Sequence, residues 1–174
     1  MEKLQFPKIV QIEAPGLIDG GDVLFTGSSL WIGLSKRTNE EAVKQVASIL
    51  AGVCPVFAFK MDNRKALHLK SLITAFNERI ILVADSEESR DLVRQIQGYS
   101  DLASKHKFVY VPDKICANVL RIHNHIVMQD GFPASEAIIQ QLCNEHYLNL
   151  NKLKMSEFVK ADGALTCCSI LCCL

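Results

Sequence analysis

The sequence has no excess of charge of either sign, because 19 Lys and Arg residues balance 19 Asp and Glu residues. That balance gives no electrostatic reason to expect a nucleic acid or an anionic membrane as a partner. Long hydrophobic runs are also missing: residues 80–84 form the longest aliphatic run before the C-terminus, whereas a membrane span needs about 20 apolar residues. No basic segment followed by an apolar run opens the chain, so no secretory signal is expected.

The seven cysteines do not predict a disulfide framework. Their number is odd, and four of them form the adjacent pairs Cys167-Cys168 and Cys172-Cys173, which cannot easily bridge within the pair. Reduced thiols and a cytoplasmic location are therefore expected. With 174 residues, of which 49% are hydrophobic and 22% charged, the chain should form one domain over residues 1–174.

A pattern of hairpin, helix and strand recurs along the chain. Residues 22–32 predict two strands around a turn at 26–28, residues 39–50 a helix capped by Thr38 or Asn39, and residues 53–59 a strand. The same elements are predicted twice more, at 68–84, 86–97 and 107–111, and then at 118–128, 134–145 and 147–153. Residues 165–171 open a fourth unit.

The repeat is regular enough to predict an architecture. Matching points at Asp22, His68, Asn118 and Cys167 are separated by 46, 50 and 49 residues. Units of this size stack on their neighbours to bury their apolar faces. We expect an α/β fold, a partial α/β-propeller of about three and a half β-β-α-β units, rather than a doubly wound sheet. His68 and Cys167 then face the same axis.

Cys167 and His68 are the first candidates for chemistry. Cys167 follows a turn at Gly163 and is placed near the start of a strand, where a thiol becomes a nucleophile only if a base or a positive charge helps it to ionise. A buried structural thiol is the alternative, and Cys168 is expected to be one on the opposite face. His68 is placed in an alternating strand, where a structural histidine is equally compatible.

Three further patterns carry weaker signals. Two glycines between Asp19 and Asp22 allow a sharp turn that brings a carboxylate close to a ligand or a histidine, although the segment is also a plain loop into a strand. Arg37, between a strand and a helix, can clamp a carboxylate or be a solvated surface residue. His123 and His125 with Cys116 are poor evidence for zinc, because they lack a second ligand pair.

Together these stretches resemble one family over nearly the whole chain. The matching segments are 17–27 (LIDGGDVLFTG), 33–39 (GLSKRTN), 67–71 (LHLKS), 111–113 (VPD), 155–157 (MSE), 162–163 (DG) and 165–169 (LTCCS). In order and spacing they resemble dimethylarginine dimethylaminohydrolases, of the pentein guanidine-modifying superfamily. The resemblance implies a five-unit propeller and no cofactor or metal.

The resemblance also implies an activity. Such an enzyme converts Nω-methylated arginine to citrulline and a methylamine through a covalent cysteine intermediate, and thereby supports nitric oxide synthesis. Cys167 matches the nucleophile, His68 the general acid and base, and Asp19 the carboxylate that orients the histidine. The resemblance assigns Arg37, Ala161 and Asp162 to substrate binding. The small-molecule methylated arginine is the expected partner.

One departure from the family leaves an alternative open. Relative to the five-unit pattern, the chain begins about one and a half units late, so its fold is expected to be an incomplete propeller that lacks the N-terminal units. A truncated, non-catalytic binding or regulatory form is therefore the alternative function. Self-association or a complementing chain is expected at the N-terminal edge. Residues 169–174 are expected to form a last strand rather than a lipid-modified Cys172-Cys173 tail.

Overall fold

The computed structural model describes residues 9–61 and 67–171. The first unit contains β1 Val23–Phe25, β2 Leu30–Leu34, α1 Glu40–Ile49 and β3 Val56–Lys60. The second contains β4 Ile73–Ala75, β5 Ile80–Ala84, α2 Glu87–Gln97, α3 Ser100–Lys105 and β6 Lys107–Val111. The third contains β7 Leu120–Ile122, β8 His125–Gln129, α4 Pro133–Glu145 and β9 Asn149–Leu153, and the short helix α5 Ser156–Val159 follows it.

Each unit forms its own three-stranded sheet with the same topology. The middle strand pairs antiparallel with the first strand and parallel with the third, which returns through the helix. In the first unit Gly27 has a φ of +95° in the turn between β1 and β2, a backbone conformation that favours glycine. The predicted β-β-α-β repeat is confirmed.

A short 3-10 turn opens each unit at the position that the repeat identifies. These turns are Gly20–Asp22, Leu69–Ser71, Lys114–Ala117 and Leu165–Cys168. The structure is thus a partial α/β-propeller, and the part described holds three whole units and the opening of a fourth.

The helices begin where capping residues predict. The Asn39 side chain accepts a hydrogen bond from the Ala42 backbone N–H at 3.0 Å, so Asn39 rather than Thr38 caps α1. Ser86 caps α2 in the same way, and Pro133 occupies the first turn of α4. The helix α3 was not predicted, because its six residues are too few for a clear apolar periodicity.

Apolar side chains pack on both faces of the second sheet. On one face Ile81 and Val83 of β5 join a core cluster with α2 and the first sheet. On the other face Ile80 and Leu82 join a cluster with α4 and the third sheet. All five residues of β5 are buried, which explains why this strand is an uninterrupted aliphatic run.

Four sequence expectations about local structure are wrong. His68 lies immediately before a 3-10 turn rather than in a strand, and Cys167 lies within one rather than near the start of a strand. Cys168 is exposed rather than buried, and residues 169–171 form no strand. A turn of three or four residues leaves no periodic pattern, so apolar alternation alone favoured strands here. Cys172 and Cys173 lie outside the described residues.

Within the described part, no helix is long and apolar enough to cross a membrane.

Candidate active site

The axial cavity lies where the 3-10 turns of the units meet. Its volume is about 840 Å³, and its polar lining includes Asp19 from the first unit, His68 and Lys70 from the second, and Cys167 from the fourth. The first strands of the units supply a largely apolar wall, with Val23 and Leu120 among the lining residues. The repeat predicted that His68 and Cys167 face the same axis, and both line this cavity together with Asp19. Their chemical roles stay predictions.

Asp19 is held by the backbone of its own loop. Its Oδ1 accepts a hydrogen bond from the Gly21 backbone N–H at 2.8 Å, and its Oδ2 lies 3.2 Å from His68 Nε2 and 3.5 Å from Arg37 Nη1. The Gly21 hydrogen bond is the largest of the causes that lower the pKa of Asp19, and the close contacts with His68 and Arg37 add to it, against the opposing effect of burial. Asp19 is therefore a carboxylate at neutral pH.

The His68 ring is positioned by packing as well as by charge. A Cβ added at Gly21 would lie 2.6 Å from His68 Cγ and 2.9 Å from Nδ1, so the imidazole rests directly against the glycine backbone. Although His68 Nε2 is close to Asp19, it is buried without a well-directed hydrogen bond. The pair is thus a close electrostatic contact rather than a well-directed hydrogen bond.

Asp22 ties the loops of Asp19 and His68 together. It is completely buried, and its Oδ1 accepts a hydrogen bond from the Leu69 backbone N–H at 3.1 Å. Its Oδ2 accepts hydrogen bonds from the hydroxyls of Ser35 at 2.6 Å and Thr38 at 2.8 Å. Thr38 Oγ1 in turn accepts a hydrogen bond from the Asp19 backbone N–H at 3.0 Å. Three donors satisfy this buried carboxylate.

Sequence reasoning missed this role of Asp22. The available signal was the pair of hydroxyl residues that follows the acidic loop, at Ser35 and Thr38.

Lys70 is a second site residue that the sequence did not single out. It is half-buried and lines the axial cavity. Burial lowers its pKa, and the neighbouring Cys167, Asp19 and Asp22 oppose that decrease, with Cys167 first among them. The Lys70 ammonium group therefore lies within electrostatic reach of Cys167.

The three residues assigned to substrate binding lie outside the lining of the axial cavity. The Arg37 side chain is 58% exposed and contacts Asp19. Ala161 and Asp162 are exposed in the turn after α5, where Asp162 has a φ of +56°. Their roles stay predictions. Cys168 is also outside the lining, whereas its neighbour Cys167 belongs to it.

A metal centre receives no support from the described residues, which contain no group of three or more His, Cys, Asp or Glu side chains able to hold an ion. His123 and His125 are exposed, whereas Cys116 is buried, so the three do not share one environment. Burial raises the pKa of the Cys116 thiol to about 11, which is typical of a structural thiol.

An α/β-propeller with a thiol and an Asp–His pair on one axial cavity is a pentein fold. The sequence matches the arginine deiminase family over residues 2–142, and the chain belongs to this family. It is similar to the N(G),N(G)-dimethylarginine dimethylaminohydrolases of Pseudomonas aeruginosa, with 26% identity over 94% of this chain and 59% of that protein, and of Streptomyces coelicolor, with 28% identity over 90% and 55%.

A solved structure shows the same likeness. A variant of the Pseudomonas aeruginosa dimethylarginine dimethylaminohydrolase in complex with citrulline superposes with a TM-score of 0.69 at 25% identity, and covers 89% of this chain and 56% of that one. The chain is thus a pentein similar to dimethylarginine dimethylaminohydrolases. It spans a little over half the length of the curated relatives named above.

Proposed function

We propose that this chain carries the nucleophile and the general acid–base of a hydrolase that converts Nω-methylated arginine, including asymmetric dimethylarginine and monomethylarginine, to citrulline and a methylamine. The observation that carries the proposal is the 3.2 Å contact between Asp19 and His68 on the cavity that Cys167 also lines. The citrulline complex of the Pseudomonas aeruginosa relative supports this substrate class.

The proposed reaction has two steps. The Cys167 thiolate attacks the guanidinium carbon, the bond to the methylated nitrogen breaks, and His68 gives its proton to the departing amine. A covalent S-alkylthiourea-type intermediate remains on Cys167. His68 then takes a proton from water, the resulting hydroxide attacks the same carbon, and the thiolate leaves as citrulline forms.

The neighbouring charges fit these two steps. Asp19 stabilises the imidazolium form of His68, as the carboxylate of a catalytic triad does. Lys70 favours the attacking thiolate and, in the second step, the departing one. The charges therefore serve both the formation and the breakdown of the intermediate.

Binding a cationic guanidinium needs acidic partners as well. Among the described residues, Asp19 and Glu78 are the acids that line the axial cavity, and Asp19 is already engaged by His68 and Arg37. Leaving a charged guanidinium unpaired in a closed pocket costs on the order of 3 to 5 kcal/mol. We therefore propose that these 174 residues need further propeller units to turn over methylated arginine efficiently.

Helix α1 indicates where such a unit would dock. The second and third units each pack their helix against the last strand of the unit before it, α2 on β3 and α4 on β6. Helices α2 and α4 each bury four side chains, whereas α1, fully described, buries Ala42 alone. Exposed apolar side chains lie beside both ends of this helix. Leu17 donates its backbone N–H to the cap residue Asn39, and Val53 donates its backbone N–H to the Leu50 carbonyl oxygen. We propose that the sheet of another β-β-α-β unit covers α1, supplied by the same or a complementing polypeptide.

This surface also supports the second candidate, a non-catalytic binding form of the family. One experiment separates the two functions: citrulline production from asymmetric dimethylarginine by the 174-residue chain alone, and by the same chain fused behind the N-terminal units of the Pseudomonas aeruginosa relative. The hydrolase proposal expects slow turnover by the chain alone and restored turnover by the fusion. A fusion that folds yet makes no citrulline, with Cys167 and His68 intact, favours the binding form.

The cellular setting belongs to the same proposal. The cysteines at 54, 116, 143, 167 and 168 are all free thiols, which suits a reducing cytoplasm. Removal of methylated arginine there would support nitric oxide synthesis.

A further inference from the structure

We infer that Asn118 is a positioning residue that fixes the loop of the general base against the loop of the nucleophile. This inference rests on the proposed function, because it concerns the relative placement of His68 and Cys167. Asn118 is 4% exposed and lies at the end of the 3-10 turn that opens the third unit. It is absent from the lining of the axial cavity, so it acts through other residues.

Three hydrogen bonds join Asn118 to the two loops. Its Nδ2 donates to the Lys70 carbonyl oxygen and to Thr166 Oγ1, both at 2.8 Å, and its Oδ1 accepts from the Thr166 backbone N–H at 3.0 Å. Lys70 follows His68 by two residues, and Thr166 immediately precedes Cys167. One side chain thus connects the second and fourth units beside both reacting groups.

The partners require an amide at this position. A backbone carbonyl can only accept a hydrogen bond and a backbone N–H can only donate one, so Nδ2 must face Lys70 and Oδ1 must face Thr166. Both Nδ2 hydrogens are used. An aspartate would keep the acceptor for the Thr166 N–H but would place an oxygen against the Lys70 carbonyl, where two acceptors repel each other.

Among the described residues, the nucleophile loop has few other anchors. Within the 3-10 turn Leu165–Cys168, Leu165 is the buried side chain, and beyond the turn Ile170 is 90% exposed. Leu165 fixes the depth of the loop by apolar packing, which is non-directional. The directional contacts with Asn118 then set the position of the sulfur relative to the base, and a displacement of about 1 Å can cost on the order of a hundredfold in rate.

The first test measures the rate of Cys167 alkylation by 2-chloroacetamidine in a double-mutant cycle. Asn118→Asp is combined with His68→Ala, and Asn151→Asp, an exposed asparagine on β9, is the matched control. We expect Asn118→Asp to slow alkylation about a hundredfold and the control to react at the parent rate. In the His68→Ala background the same substitution should have little further effect. An equal loss in both backgrounds would overturn the positioning role, because it would not involve the base.

The second test is independent of the chemistry. Hydrogen exchange of the Thr166 amide is compared between the parent chain, Asn118→Ala and Asn151→Ala. We expect protection of the Thr166 amide to be lost in Asn118→Ala and kept in the control, while the β5 amides stay protected in both. Protection that survives Asn118→Ala would overturn the anchor. If the parent alkylation rate does not depend on His68, the proposed hydrolase chemistry fails, and the exchange result still decides the anchor.

Discussion

His68 Nε2 lies 3.2 Å from Asp19 Oδ2, and the two residues belong to different units of the propeller. The contact therefore exists only because the first two units stack. Asp22 secures that stacking through its hydrogen bond to the Leu69 backbone, one residue beyond His68. The Asp19–His68 pair consequently depends on the packing of the first unit against the second.

The first prediction concerns Gly21, against which the His68 ring packs. Gly21→Ala would place a methyl group 2.6 Å from His68 Cγ, so the ring must leave its position beside Gly21. We expect Cys167 alkylation by 2-chloroacetamidine to slow by at least about tenfold. Gly20→Ala is the matched control, since an added Cβ there meets no atom within 4 Å. Equal rates for the two variants would contradict the proposed ring position.

The second prediction concerns pH and Asp19. Because the folded state lowers the pKa of Asp19, its charged form stabilises the fold. This contribution is fully present above the unfolded pKa of about 3.9 and is lost as pH falls through the lower folded value. Asp19→Asn should therefore lower the free energy of unfolding at pH 7, and the difference from the parent should shrink as pH falls below about 4. Urea unfolding of both proteins between pH 3 and 7 measures this difference in free energy of unfolding. A difference that does not change with pH would refute the charge-based account.

The third prediction separates stability from reactivity at Lys70. Burial lowers the pKa of Lys70, so the fold disfavours its ammonium form, and stability should rise with pH between the folded pKa and the ordinary value of about 10.4. Lys70→Met should consequently raise the thermal midpoint at pH 7. The same change removes the cation near Cys167 and should slow its alkylation at pH 7 by roughly tenfold.

Lys154→Met is the control for Lys70→Met, because Lys154 is an exposed lysine that immediately follows β9. Lys154→Met should change neither the thermal midpoint nor the rate of Cys167 alkylation. A Lys70→Met variant that reacts as fast as the parent would remove Lys70 from the site.

The fold was largely predictable because the hydrophobic periodicity and the helix-capping residues recur from one unit to the next. Residues 107–111 were predicted as a strand with the bounds that β6 has, and the cap of α2 at Ser86 is readable from the sequence. The 3-10 turns were not predictable in this way. They consist of three or four residues whose apolar members, such as Leu69, alternate as a strand would.

The candidate site was predictable only in part, for a physical reason. Cys167, His68 and Asp19 are residue types whose chemistry is visible in the sequence, and the repeat placed two of them on one axis. Asp22 and Asn118 act through hydrogen bonds to backbone groups of distant units. A backbone acceptor has no sequence signature, so such partners emerge only once the units are stacked.

The central claim, that Cys167 is the nucleophile of this site, is tested most directly by intact mass and peptide mapping after brief exposure to 2-chloroacetamidine. Cys167 and Cys168 are both exposed. Cys167 lines the axial cavity with His68, whereas Cys168 lies outside that lining. The account predicts that the first adduct forms on Cys167, that Cys167→Ser abolishes this fast modification, and that Cys168→Ser leaves it intact. Fast labelling of Cys168 with Cys167 unmodified would contradict the account.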